Sequence, residues 1–325
     1  MYRRLLVPLD GSEISEVVYP YVIETAGRLG LDVTLLHVLE PEEEESSPMH
    51  RAYVEHKAEM VLKEIGHLRR RLGNEGEGVQ AEVRGELVTG YPAEEIIRYA
   101  DERDFDLIIM ATHGRSGIRR WIMGSVADKV LRASAVPVWL VSADSAQGMA
   151  YNEWPERTIV VPLDGSELAE SVLPHVDILA GQRGPEPLEV VLLNVSEPAV
   201  AMTYYSPSAR LETPDGARHV MPREYQRELL YRQKLVAKRY LEGVAQRLRL
   251  LYWDVRTEVL EGDPSKEIIE YVEKLPFSVI VMSTHARGGL RRWAYGSVAA
   301  KLLQKVPVPI VLVRPQEQAR DEGGN

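Results

Sequence analysis

Residues 111–125, ATHGRSGIRRWIMGS, bring together residue types that suit a polyphosphate. Gly114 and Gly117 lack side chains, so an anion can approach their backbone N–H groups closely. Arg115, Arg119 and Arg120 make the stretch basic in a chain whose formal net charge is −10, a local field that attracts phosphate. Gly124 and Ser125 stand where a helical pattern, SVADKVLR, begins. A helix start offers unpaired N–H donors and a partial positive charge. Ser125 would either cap that helix or donate its hydroxyl to a phosphate oxygen. The chain contains no GxxxxGK[ST] and no GxGxxG, so neither common phosphate fingerprint applies. The signal is the combination of a strand end, a two-residue gap, Gly114, nine residues, and Gly124-Ser125 at a helix start.

The same stretch returns as STHARGGLRRWAYGS over 283–297, with nine of fifteen positions identical and Ala286 in place of Gly114. His113 and His285 recur in it, yet no nucleophile or paired acid accompanies them at a recognisable spacing. They are expected to be hydrogen-bonded structural histidines, and no catalytic residue is assigned. Trp121 and Trp293 read as packing anchors beneath the loop. There are no cysteines, which excludes disulfides, thiol catalysis and cysteine zinc sites. The acidic run 41–47 lacks the spacing of a calcium loop and reads as a solvated face. No protein metal site is expected.

Further matched pairs show that the whole chain is duplicated: LLVPLDGSEISEVVYP (5–20) with IVVPLDGSELAESVLP (159–174), VTLLHVLEP (33–41) with VVLLNVSEP (190–198), GYPAEEIIRYA (90–100) with GDPSKEIIEYV (262–272), and VPVWLV (136–141) with VPIVLV (308–313). Asp10 and Asp164 are 154 positions apart, Val38 and Val195 are 157 apart, and Gly124 and Gly296 are 172 apart. The insertions therefore precede the third strand of repeat two, and 204–224 reads as a polar loop. The 325 residues divide into domains 1–143 and 157–315, joined by the linker 143–157.

Each repeat alternates apolar strand runs with helical patterns. In repeat one the strands are expected near 3–9, 32–38, 80–88, 106–111 and 136–141, and the helices near 13–28, 50–72, 92–103 and 125–133. Ser12 and Pro92 mark helix starts. This order predicts an α/β fold of two doubly wound, five-stranded parallel sheets in tandem, Rossmann-like in layout. Ligands of such sheets sit beyond the carboxyl ends of the strands, at the switch point. Asp10, Val38 and residues 111–114 end three strands there, as do Asp164 and Val195 in repeat two. Asp-Gly also forms turns, so Asp10 and Asp164 serve either a ligand or the turn itself. The last apolar strand of each repeat should lie at a sheet edge, where a bare edge invites a partner strand.

The acidic balance argues against a general nucleic-acid surface. No apolar run approaches the roughly 20 residues of a membrane helix. The start MYRRLLVPLDGSE turns acidic too soon for a secretory signal. These features predict a cytoplasmic protein that uses neither nucleic acid nor membrane.

With these motifs assembled, the chain resembles the universal stress protein family over both repeats, in tandem. The family pattern Gly-x-x-Gly-x9-Gly-Ser/Thr is matched at Gly114, Gly124 and Ser125 and departs at Ala111. Repeat two matches at Gly296 and Ser297 and departs at Ser283 and Ala286. VPLDGS and LLHV also resemble the family. The resemblance implies an adenine nucleotide alpha hydrolase-like fold. It implies ATP with Mg²⁺, the phosphates on the Gly-Ser loop. Adenosine would then lie between Asp10 and Val38, or between Asp164 and Val195. If Gly114 adopts positive φ, Ala286 costs about 1 kcal/mol or more, so repeat one is expected to bind better than repeat two. The resemblance also implies that the two repeats pair within the chain through their last strands, with further homo-oligomers compatible. The expected role is a stress-response sensor or regulator with weak ATPase activity at most. The alternatives are a nucleotide-free interaction scaffold and a slow nucleotide hydrolase.

Overall fold

The computed structural model describes residues 2–73, 81–112, 123–142, 151, 154, 157–181, 188–197, 223–249, 254–275, 277–284 and 296–315. Repeat one runs β1 (Arg4–Leu9), a 3-10 turn (Ser15–Val18), α1 (Tyr19–Leu29), β2 (Asp32–Leu39), a second 3-10 turn (Pro41–Ser46), α2 (Ser47–Arg71), β3 (Val83–Thr89), α3 (Pro92–Glu102), β4 (Leu107–Ala111), α4 (Ser125–Ala133) and β5 (Val138–Val141). Repeat two runs β6 (Arg157–Pro162), α5 (Glu167–Glu170), α6 (Leu173–Ala180), β7 (Leu188–Ser196), α7 (Arg223–Arg249), β8 (Val255–Glu261), α8 (Pro264–Val272), β9 (Ser278–Ser283), α9 (Ser297–Lys305) and β10 (Ile310–Val313). The strands and helices expected from periodicity are present, with ends shifted by a few residues. The first helix opens as a 3-10 turn at Ser15, and the α-helix proper begins at Tyr19 with Pro20 in its first turn. Pro carries no N–H to lose there. The loop expected over 204–224 lies largely outside the described residues.

The strand order is β3-β2-β1-β4-β5-β10-β9-β6-β7-β8. Within each repeat all pairings are parallel. The two five-stranded parallel sheets run on into each other, because β5 and β10 hydrogen-bond antiparallel, with Val311 opposite Trp139. An apolar final strand finds its missing partner in the other repeat's final strand. Side chains alternate between the sheet's two faces. Leu5, Val7 and Leu9 face one core with residues of α1, α2, α6 and α7. Leu6, Ile108 and Leu140 face the other with residues of α3, α4, α8 and α9. Helices on both faces bury all of β4 and all of β1 but Arg4, while the edge strands β3 and β8 remain half-buried.

The expected linker is partly structural. Tyr151 and Trp154 are buried, and Tyr151 stacks on Tyr21 of α1 with ring centroids 4.4 Å apart. Trp139 of β5 meets Tyr151 edge-on. Two aromatic side chains bury a large apolar area each, so the connection is anchored to the seam between the repeats at these two residues.

Candidate functional site

The sheet order reverses between β1 and β4, and the rim above their carboxyl ends collects the strand-end residues expected from the sequence. Leu9 lies opposite His37 in the parallel pairing of β1 with β2, which brings Asp10 level with Val38. β4 ends at Ala111, and its pairing with β1 carries that end to the same rim. In repeat two Leu163 N–H donates to Leu193 C=O at 2.8 Å, bringing Asp164 level with Val195.

Asp10 forms a tight turn. Its Oδ1 accepts from Ser12 N–H at 3.0 Å and Ser12 Oγ–H at 2.6 Å. Gly11 between them has φ of 80°, a conformation that only glycine adopts without cost. Ser12 Oγ in turn accepts from Ser15 N–H at 3.2 Å. Repeat two makes the same turn: Asp164 Oδ1 accepts from Ser166 N–H at 2.9 Å and Oγ–H at 2.6 Å, and Gly165 has φ of 83°. The turn role allowed for both aspartates is thus realised through Oδ1. It fixes each carboxylate at its strand end.

The base of the Gly-containing loop is closed the same way twice. Thr112 N–H donates to Val141 C=O at 2.9 Å, and Gly124 N–H donates back to Thr112 C=O at 2.8 Å. Thr284, Val313 and Gly296 repeat these bonds at 2.9 and 2.8 Å. Thr112 and Gly124 are therefore held together at the rim, which delivers the helix start to it. One expectation is corrected here. Gly124, with φ of −59° and ψ of 148°, occupies the N-cap position, and Ser125 is the first helical residue. Gly296 and Ser297 stand likewise. A cap residue needs an extended ψ, and glycine takes it without adding a side chain at the helix start. Ser125 and Ser297 are exposed, and the first-turn N–H groups of both helices have no acceptor within the helix.

His113, Gly114, Arg115 and Gly117 lie outside the described residues, as do Arg119, Arg120, Trp121, His285 and Ala286. Ala111 is described and buried, and Ser283 at the matching place is buried too.

The two rims differ around this shared frame. In α4 the first turn carries Asp128, whose carboxylate is held by Arg132 Nε at 2.8 Å; α9 has Ala300 there. In repeat two Asp263 caps α8 by accepting from Lys266 N–H at 3.0 Å, and Lys301 Nζ approaches it at 3.3 Å. The Ser265 hydroxyl and that backbone bond hold Asp263 at a pKa of about 2. Repeat one has the exposed Tyr91 at that position.

Sequence reasoning missed a polar cluster behind the Asp10–Val38 rim. His37 of β2 stacks on His50 of α2 with centroids 4.5 Å apart, and Tyr53 meets His37 edge-on at 6.3 Å. Tyr53 donates to Glu16 Oε1 at 2.9 Å, and Lys57 Nζ sits 2.7 Å from Glu16 Oε2. Burial pushes the Tyr19 and Tyr53 phenols up, and the neighbouring Glu16 carboxylate adds to both. The available signal was the divergence of LLHV from LLNV in otherwise matched strands. Among the described residues no three His, Asp or Glu side chains converge as a metal site, and no helix is long and apolar enough to cross a membrane.

Comparison with known proteins agrees with this architecture. A sequence profile described as "Universal stress protein family" matches residues 1–142 and again 156–314. A universal stress protein of Methanocaldococcus jannaschii is 29% identical over 154 residues, covering 43% of this chain and 95% of its own length. One from Mycobacterium tuberculosis (strain H37Rv) is 21% identical over 317 residues, covering 95% of this chain and 96% of its own. A universal stress protein of Archaeoglobus fulgidus with a known crystal structure superposes with a TM-score of 0.59 at 19% identity, over 96% of this chain and 98% of that one. With both halves matched and both built on one plan, the chain belongs to the universal stress protein family as a tandem, two-domain member.

Proposed function

We propose that repeat one is an adenine-nucleotide site, that its ligand is ATP carried with Mg²⁺, and that the protein acts in the cytoplasm as a stress-response sensor or regulator. The observation that carries this reading is the bond from Gly124 N–H to Thr112 C=O. It sets the unpaired N–H groups of α4 on the rim that also holds Asp10 and Val38. Phosphates suit the helix start, where donors and dipole point outward. Ser125 would donate its exposed hydroxyl to a phosphate oxygen. Asp10 and Val38 would bound the nucleoside, and Gly114, Arg115 and Gly117 would line the polyphosphate with His113 in a structural role. Mg²⁺ would be held by phosphates and water, the coordination it commonly keeps. No general base or water-positioning group is assigned on this rim, so hydrolysis is slow.

Asp164, Val195, Gly296 and Ser297 repeat the frame in repeat two, where Ala286 replaces Gly114; we propose that this copy binds more weakly. The antiparallel β5–β10 contact supports a reading of the chain as an internal pseudo-dimer. Domain boundaries at 1–143 and 157–315 follow the same reading. A nucleotide-free scaffold is the second reading, favoured by the turn bonds that Oδ1 of Asp10 and Asp164 already makes.

The experiment is to denature the purified protein and assay released adenine nucleotide by mass spectrometry. Close to one nucleotide per chain is expected, and none from Gly124→Leu. A leucine tolerates φ of −59° but fills the space before the helix. Nucleotide absent from the wild type, with no binding on addition of MgATP, overturns the first reading in favour of the scaffold.

A further inference from the structure

α2 and α7 are the matched long helices of the two repeats, and their buried positions set the match: Val54, Ala58 and Val61 in α2 correspond to Leu241, Ala245 and Leu248 in α7. On that register Ser47, where α2 begins, falls at Lys234, whereas α7 begins at Arg223, eleven residues earlier. At 1.5 Å per residue the extra length is about 16 Å. α2 buries His50 in its first turn, while no residue of α7 from 227 to 240 is buried. Most helical stability in proteins comes from packing one face of the helix. The start of α7 runs on without that packing inside the chain.

The unpacked stretch has a defined chemistry. From 227 to 239 it carries five cations and one anion. Arg232 is paired with Glu228 at 2.8 Å and Lys234 with Glu261 at 2.6 Å. Arg227, Lys238 and Arg239 are exposed and make no ion pair among the described residues. Arg227, Tyr231, Leu235 and Arg239 are spaced four apart and so form one row along the helix. Tyr231 and Leu235 are exposed in the middle of that row, and Val236 is 67% exposed beside it. An apolar strip between cations fits an apolar group flanked by carboxylates.

We propose that this face of α7 docks a second copy of the chain, through the acidic turn Pro41–Ser46 and the start of α2. Glu42 and Glu45 are exposed there, and Met49 is 67% exposed. On the α2–α7 register Met49 stands at the place of Val236. The two repeats thus present an apolar point at the same place, one beside carboxylates and the other beside cations. Opposite charges around matched apolar points favour pairing and set its orientation. The two surfaces of one chain stay apart. α2 and α7 pack on the same face of the sheet, but β2 and β7 are seven strand spacings apart, about 34 Å in all. The antiparallel β5–β10 pairing also points β2 and β7 in opposite directions, so the acidic surface lies at one rim and the basic surface at the other. A second copy laid end for end on that face brings each basic surface against an acidic one, and both contacts form at once in a closed pair. A foreign acidic peptide would cover one surface and leave the other bare. Exposed ion pairs each contribute little, so it is the doubled contact that makes the association measurable. This pairing does not depend on a ligand at either rim.

The test is the mass of the full-length chain in solution, read by sedimentation velocity at up to about 100 μM, the range of a weak specific contact. At low ionic strength the wild type should run at twice the chain mass. At about 0.5 M salt, where the screening length is about 4 Å, it should run as a single chain. Arg227→Glu/Lys238→Glu/Arg239→Glu makes both surfaces acidic, and Glu42→Lys/Glu43→Lys/Glu44→Lys/Glu45→Lys makes both basic. Each variant alone should stay a single chain at low salt. An equimolar mixture of the two should return to the doubled mass, since every contact in the mixed pair again joins opposite charges, and a misfolded variant could not give that rescue. A wild type that stays single at low salt overturns the proposal and leaves the face to a foreign acidic partner. A doubled mass that either reversal leaves intact, or a mixture that fails to pair, overturns it as well.

Discussion

Arg157, the first residue of β6, places Nη2 2.8 Å from Oε1 of Glu24 on α1. Both side chains are almost wholly buried, at 5% and 2% exposure. Arg28, one turn along α1, reaches the same carboxylate oxygen. Arg157 also donates to Tyr151 C=O at 2.8 Å and lies 4.0 Å above that ring. One ion pair therefore joins the first helix of one repeat, the connecting segment and the first strand of the other. The matched contact in the other direction joins Tyr2, just before β1, to α6, with Tyr2 Oη 2.7 Å from His175 Nδ1.

Glu24→Gln should destabilise the protein by about 3–5 kcal/mol, because it leaves Arg157 and Arg28 buried without their countercharge. Arg157→Met should cost less, since Glu24 keeps Arg28 and the methionine fills the apolar space. Denaturant midpoints of the two variants check the order, and a smaller loss for Glu24→Gln would contradict it.

Stability should fall with acid through His175. Burial lowers its pKa from 6.5, so the folded protein holds the ring neutral where an unfolded chain has begun to protonate. The unfolded state then binds more protons, and stability drops as pH falls below about 6.5. His175→Phe keeps a ring beside Tyr2 but removes the titration. Its melting temperature should change less between pH 7.5 and 5 than that of the wild type, despite a lower value at pH 7.5.

Gly11→Ala places a Cβ on a residue with φ of 80°, which costs about 1–2 kcal/mol. It also rotates the Asp10 carboxylate away from Ser12. Thermal unfolding reads the first effect, and nucleotide content reads the second. Gly165→Ala should match the stability loss with little effect on nucleotide content.

Gly85→Ala should loosen α2. An added Cβ would stand 2.6 Å from the Val54 carbonyl carbon and oxygen, a backbone contact that cannot rotate away. A loss of about 1–3 kcal/mol is expected from such overpacking. Repeat two carries Thr257 at that place, with its hydroxyl 3.4 Å from Glu242 of α7, so α7 lies on its strand with room for a side chain. Hydrogen exchange along α2, rising in the variant while α7 is unchanged, is the measurement.

Much of the site's frame was legible because it is built from local rules. The Asp-Gly-Ser turn follows from three adjacent residues, and the Gly-Ser helix start from two. Of the two roles left open for Ser125, the cap falls instead to its neighbour. Serine is a good cap, yet Gly124 already holds the extended backbone that the position demands. The stacked histidines were not legible. His37 and His50 sit in different elements, and neither has a spacing that announces the other. Likewise YNEW in the connecting segment read as linker, since no local pattern states that Tyr151 will stack on Tyr21.

By itself the sequence determined the duplication, the alternation of strand and helix, and the turns whose glycines carry positive φ. Those depend on periodicity and on backbone conformations within a few residues. The tertiary structure alone decided that Glu24 finds Arg157, that Tyr151 stacks on Tyr21, and that a polar cluster backs only one of two matched rims. Such contacts join groups far apart along the chain, and they exist only where packing has brought complementary surfaces together.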